Sequence, residues 1–339
     1  MSANKIVRSI CYFTENPNAE TVKELAEITR ILEQNGYLVQ TRRLCAPVND
    51  ITSLVTLVPD GVDYLSIGTI SIDDAVVQLP ALYKHGSALF NVDLSTVEIE
   101  EKHVDILFQI IKNSPARTFN FTYVFNNIPS SPFFPSGSYE RDGFSIGLQP
   151  IDLAESCATL TEWLNAMKGC WTEICQLFES RPDFLGIDGS TAPLVGEKGS
   201  LVALVKKFCY DFNRSVTTDT YTKITKFLKD ENPKPAGLNG LMLPCLEDTE
   251  LAGEYEKGNF SIERNIYLSL HSGLGIDTYP IGVDESPARV LQILTLLQAL
   301  SNKYKKPLSA RFVSDGETRI GERTNYKNQY LAECTIRAL

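Results

Sequence analysis

Short apolar strands alternate with amphipathic helices along almost the whole of this chain, and that alternation leaves few folds open. Ile6 to Phe13 reads as a first strand. Asn16-Pro17 then offers a capping side chain ahead of a proline suited to a first helical turn. Val22, Leu25, Ile28, Thr29 and Leu32 fall near one face of the helix that follows, Gly36 ends it, and Tyr37 to Leu44 is the next strand. The pattern continues with strands at Asp63–Gly68, Ala88–Leu94 and Phe119–Phe125 and helices at Ile72–His85 and Ile99–Lys112. Strands separated by helices bury both faces of a mostly parallel sheet, so the expected class is α/β.

The second half is less regular. Ile151 to Glu179 has one long helical pattern with Gly169 inside it, and Ser200–Asp211 and Thr218–Lys229 read as further helices. Lys229 to Pro235 reads as a surface connector. A helix capped by Ser261 runs to Gly273, and Ser286-Pro287 opens another that turns Val290, Ile293, Leu294, Leu297 and Leu300 inward. Leu308–Val313 is a late strand, and Ser314–Gln329 a polar loop. No repeat or linker divides the 339 residues, which are read as one barrel-sized domain. The only seam is the proline-rich loop 128–143. Its Phe133-Phe134 pair either wedges into a pocket wall or a partner surface, or plugs the core beneath the loop.

Composition narrows the partners. A formal net charge of −10 with no basic cluster argues against a nucleic-acid surface. No run approaches the roughly 18 apolar residues that a membrane span needs. Eight cysteines without close pairing read as buried thiols in a reducing compartment, so a cytoplasmic protein is expected. His85, His103 and His271 have neither zinc-ligand nor triad spacing.

Three strand ends run into acids. Phe184-Leu-Gly-Ile-Asp188 leads to Gly189-Ser190, Leu241-Met-Leu243-Pro244 leads to Glu247-Asp248, and Gly273-Leu-Gly-Ile-Asp277 leads to Thr278. With Asp284, these acids follow strand ends, where α/β folds gather their ligands. Together they are candidates for acid–base work (Asp188, Glu247, Asp277) or for a divalent cation such as Mg²⁺ or Ca²⁺ (Asp188, Asp248, Asp277). Singly, each serves equally well as a helix cap. Asn239 between Gly237 and Gly240 either hydrogen-bonds a ligand or takes a left-handed turn. Arg311, inside an apolar strand, must pair with a buried carboxylate or an anionic ligand. Gly196 to Ser200 is a weak anion-loop candidate at a helix start.

The stretches FLGIDGSTAP, GLNGLMLPCLEDTELA, GLGIDTYPI and KPLSAR, with PFFPSGSY and FSIGLQPIDLA, resemble an uncharacterised family of archaeal, bacterial and fungal proteins. By fold that family is grouped with pyruvate formate-lyase and the other glycyl radical enzymes. The resemblance implies a β/α barrel of two parallel half-barrels arranged antiparallel with helices outside, and a homodimer. Radical chemistry does not come with it: Arg319-Ile320-Gly321-Glu322 lacks the spacing and the aromatic residue of a radical glycine site, and Ser272 stands where relatives often carry cysteine. What the motifs share, Asp188, Ser190, Asn239, Glu247, Asp248, Asp277, Ser309 and Arg311, is expected to line the barrel mouth. Ser190, Asn239, Asp248, Ser309 and Arg311 are expected to hold the ligand, under a Pro-Phe-Phe-Pro cover. The function expected is an enzyme acting on a small anionic metabolite by acid–base or metal-assisted chemistry. The alternative is a metabolite-binding or assembly protein without catalysis.

Overall fold

The computed structural model describes residues 5–48, 50–58, 60–193 and 199–339. Its first half follows the alternation: β1 (Lys5–Phe13), α1 (Ala19–Gln34), β2 (Tyr37–Val39), β3 (Arg42–Cys45), α2 (Ile51–Leu57), β4 (Tyr64–Ile70), α3 (Ile72–Lys84), β5 (Ala88–Asp93), α4 (Glu101–Asn113) and β6 (Phe121–Phe125). Three details differ from the sequence reading. The strand expected over 37–44 is broken between β2 and β3, where Gln40 N donates to Val7 O and Thr41 Oγ1 to Arg8 O, and α2 had no clear periodic signal. Asn18 rather than Asn16 caps α1, accepting from Glu20 N (2.8 Å) and Thr21 N (3.2 Å).

The second half contains β7 (Gly143–Leu148), α5 (Leu160–Leu177), β8 (Phe184–Asp188), α6 (Leu201–Phe208), α7 (Phe212–Ser215), α8 (Thr220–Glu231), α9 (Thr249–Glu256), α10 (Ile262–His271), β9 (Gly275–Pro280), α11 (Pro287–Tyr304) and β10 (Leu308–Val313). The long pattern over 151–179 divides into a 3-10 turn, Pro150–Ser156, and α5. Gly169 lies within α5 without interrupting it. β7 went unseen because residues 143–148 directly follow the proline-rich loop and are buried on both faces, so they show no polar alternation.

Among the described residues the strands form one sheet of ten, in the order β8-β7-β1-β3-β4-β5-β6-β10-β9 with β2 beside β1. β1, β3, β4, β5 and β6 run parallel. β7 and β8 are parallel to each other, as are β9 and β10, and both pairs join the first set antiparallel. The ladder is open between β8 and β9, but residues 235–245 hydrogen-bond to both edges. Ala236 N donates to Ile187 O (3.0 Å), Met242 N to Thr191 O (3.2 Å) and Cys245 N to Asp277 O (2.9 Å). Leu241–Leu243, expected as a strand, contributes parallel bridges here instead of a ladder.

Side-chain alternation gives the sheet two faces. Val7 and Ile10 join Leu25, Ile28 and Leu32 of α1 in the main core, while Cys11, Phe13 and Cys45 turn the other way and meet Phe134 and Tyr139. That second face takes in the proline-rich loop. Ser9 Oγ (2.9 Å) and Arg43 Nη1 (3.1 Å) donate to Pro132 O, and Asn91 Nδ2 donates to Pro135 O (2.9 Å) and Gly137 O (3.1 Å). Buried polar side chains therefore satisfy the carbonyls of a segment that has no ladder of its own, as the burial of backbone requires.

Strand β9 approaches β10 unusually closely at Gly275, whose φ is +107°. A Cβ there would lie 2.1 Å from the carbonyl oxygen of Ser309. Gly275→Ala is therefore expected to cost about 2 kcal/mol through overpacking and backbone strain. Urea denaturation checks this, and an unchanged midpoint would contradict the close approach.

Candidate functional site

The second face of the sheet, with the proline-rich loop, lines a partly open cavity of about 90 Å³. Phe133, Phe134, Pro135 and Ser136 form part of its lining, so the expected cover is here a wall, pinned by the hydrogen bonds above. The charged lining comes from four strands and one loop: Arg8 on β1, Arg43 on β3, Asp277 on β9, Arg311 on β10, and Glu247 just ahead of α9.

Backbone irregularities aim these side chains. The β1–β7 register slips between Val7 and Ser9, where Arg8 sits. On β9, Ile276 pairs with Ala310 and Tyr279 with Phe312, leaving Asp277 and Thr278 opposite Arg311 alone. Thr278 takes up the extra residue at φ +38°, an uncommon conformation for a β-branched residue. Such bulges re-aim side chains beside functional sites.

Arg311 is the centre of the charge network. Its Nε donates to Asp277 Oδ1 (2.6 Å), its Nη2 to Glu247 Oε1, and its guanidinium lies over the Phe119 ring, 4.9 Å from the centroid. Burial works against its charge, but Asp277 and then Glu247 outweigh it and hold its pKa above the ordinary arginine value. Glu247 is buried too. Burial pushes its pKa up, although Arg311 opposes the shift.

The other two arginines are less fully matched. Arg8 Nη2 lies 3.8 Å from Glu247 Oε2, and burial lowers its pKa in spite of that carboxylate. Arg43 is 6% exposed; its Nε donates to Thr41 Oγ1 (3.1 Å), and its guanidinium is held over the rings of Tyr64 and Phe134. No carboxylate of the described residues pairs with it. Burial, with Arg8 adding to it, pulls its pKa down to about 9, which still leaves it charged at neutral pH. Among the described lining residues, three guanidinium groups thus face two carboxylates, one positive charge in excess.

A family model described as uncharacterised ACR (DUF711) matches residues 74–327. The chain belongs to this family. No curated protein matches it. Among the described residues of this DUF711 protein, no helix is long and apolar enough to cross a membrane.

The candidate residues separate into two groups in this family member. Glu247, Asp277, Ser309 and Arg311 line the cavity. Asp188, Ser190, Asn239 and Asp248 do not, and their polar atoms are engaged by the chain itself. Asp188 accepts from Ser190 N (3.0 Å), Ser190 Oγ (2.6 Å), Ser131 Oγ (2.8 Å), Leu238 N (2.8 Å) and Asn239 N (3.1 Å). Asn239 takes the left-handed turn at φ +47°, and its Oδ1 accepts from Gly189 N. Asp248 caps α9 through Glu250 N and Leu251 N and also accepts from Leu201 N (2.8 Å). Asp284 is exposed and accepts from Ile320 N.

The three metal candidates, Asp188, Asp248 and Asp277, do not converge. Among the described residues no three His, Cys, Asp or Glu side chains gather as a metal set, and the oxygens of Asp188 and Asp248 are already taken by N–H and O–H donors. Most of the loop 196–200 lies outside the described residues. Sequence reasoning missed Arg8, Arg43, Tyr64 and Tyr330, the last of these reaching the cavity from the C-terminal segment.

Proposed function

We propose that this protein holds a small anionic metabolite in the cavity and acts on it by acid–base chemistry. The observation that carries this reading is the charge excess: Arg8 and Arg43 face a partly open cavity in which Arg311 alone is fully paired. Arg43 meets only neutral acceptors, Thr41 Oγ1 and Pro132 O, and a buried guanidinium without a carboxylate is costly unless an anion joins it. In this reading Arg311 is not the anion clamp expected from the sequence. It anchors Glu247 and Asp277, and Arg8 with Arg43 takes the clamp role. Glu247, buried and with its pKa raised, is the group suited to exchange a proton with the ligand.

The same reading takes the sheet as a barrel of two parallel half-barrels. Its support is that residues 235–245 span the gap between β8 and β9 with hydrogen bonds to each.

Native mass spectrometry of protein purified without added ligand tests the site. A small anion is expected to accompany the parent and to be lost in Arg43→Met. Glu247→Gln separates enzyme from binder. An enzyme retains unconverted substrate in that variant and a different molecule, or none, in the parent, whereas a binder carries the same molecule in both. An empty cavity in the parent and both variants would count against an anion site.

A further inference from the structure

The charge and size of the cavity also limit the class of ligand, given the anion-site reading above. One uncompensated positive charge is balanced by one negative charge. A dianion would leave the site negative unless it took up a proton. The volume of about 90 Å³ has room for roughly six to nine water-sized groups. Beyond the charged groups, hydroxyls such as those of Thr122, Ser309 and Tyr330 share the lining with an apolar wall that includes Leu89, Leu238, Met242 and Leu274. The cationic groups are arginines; on Arg43, Nε and Nη1 already donate to Thr41 Oγ1 and Pro132 O, which leaves Nη2 to meet a carboxylate oxygen beside Arg8. The lining lacks lysine among the described residues, and the α9 N-terminus beside Glu247 is occupied by Asp248 rather than free for a phosphate.

We propose that the ligand is a small monocarboxylate, on the order of five to eight non-hydrogen atoms, with its carboxylate on Arg8 and Arg43 and an apolar remainder against the leucine and methionine wall. A dianion of similar size enters less readily and brings one proton with it, and Glu247 is the side chain that receives it. Its Oε2 lies toward Arg8, on the side away from Arg311.

Calorimetric titration of the full-length protein in two buffers of different ionisation heat tests this, with butyrate, butyramide and inorganic phosphate as probes. Butyrate is expected to bind without net proton exchange, butyramide to bind at least about 30-fold more weakly, and phosphate to bind more weakly than butyrate with uptake of a proton. Arg43→Met should weaken butyrate by a similar factor. The parent comparison among the three probes stands even if that variant folds poorly. Phosphate binding more tightly than butyrate, or without proton uptake, overturns the monocarboxylate assignment and leaves the anion site intact. Butyramide binding as well as butyrate, or no binding by any probe, overturns both.

Discussion

Replacing Arg311 with methionine is expected to cost about 3–5 kcal/mol of stability at neutral pH, the range for removing one partner of a buried ion pair. The side chain is roughly replaced in volume, so the loss is electrostatic. Glu247, 5% exposed, and Asp277, more accessible, are left facing each other with only the more distant Arg8 and Arg43 as counter-charges. The pH dependence separates this cause from simple repacking. Without Arg311 the folded-state pKa of Glu247 rises further above its unfolded value of about 4.3. A carboxyl whose folded pKa is raised destabilises the fold above that pKa, and the penalty disappears as the pH falls through it toward the unfolded value. The gap between parent and variant in urea denaturation should therefore narrow from pH 7 to about pH 5. A gap that is constant or wider at the lower pH would mean that Arg311 contributes packing rather than charge compensation.

The reason Arg311 was legible from sequence also explains what was not. An arginine in an apolar strand has to meet an anion, and that reasoning singled out Arg311 between Ala310 and Phe312. Arg8, flanked by Ile6, Val7 and Ile10, meets the same criterion and was the available signal for the other wall of the cavity. Arg43 follows another arginine, so its direction depends on pleat parity, and the break between β2 and β3 sets that parity. The bulges at Arg8 and Asp277 have no local sequence mark. They arise where antiparallel β7 joins β1 and where β9 lies beside β10, pairings between segments far apart in the chain. The α/β class, by contrast, depends on local periodicity, and periodicity is a property of a single segment.

Asp188 and Asp277 make the same point more sharply, because each ends a Leu-Gly-Ile-Asp run. Locally they are equivalent, and only the surrounding chain distinguishes them. Asp277 meets Arg311 across a bulge. Asp188, fully buried, ties Ser131 of the proline-rich loop to the turn 237–239 and to its own next-but-one residue. Gly237, at φ +68°, makes room for this: a Cβ there would lie 2.3 Å from Asp188 Oδ2. Burial pushes the Asp188 pKa up, and the donors around it pull the other way.

Asp188→Asn is accordingly expected to destabilise the fold by about 3 kcal/mol, although it is nearly isosteric. The amide has one oxygen where the carboxylate has two. Placed at Oδ2, its NH₂ meets Leu238 N–H; placed at Oδ1, it meets the N–H groups of Ser190 and Asn239. Either orientation leaves a buried backbone donor opposed by another donor, and removes a charge that strengthened several hydrogen bonds. Ser131 can rotate its hydroxyl to accept, so the loop attachment at Oδ2 is the less damaged side. Urea denaturation measures the loss. Butyrate titration of the folded variant supplies the second readout, because a carboxylate that only shapes the scaffold should leave affinity within about twofold of the parent. A variant of parental stability that no longer bound butyrate would assign Asp188 to the ligand after all, and would move the site toward the 188–190 turn.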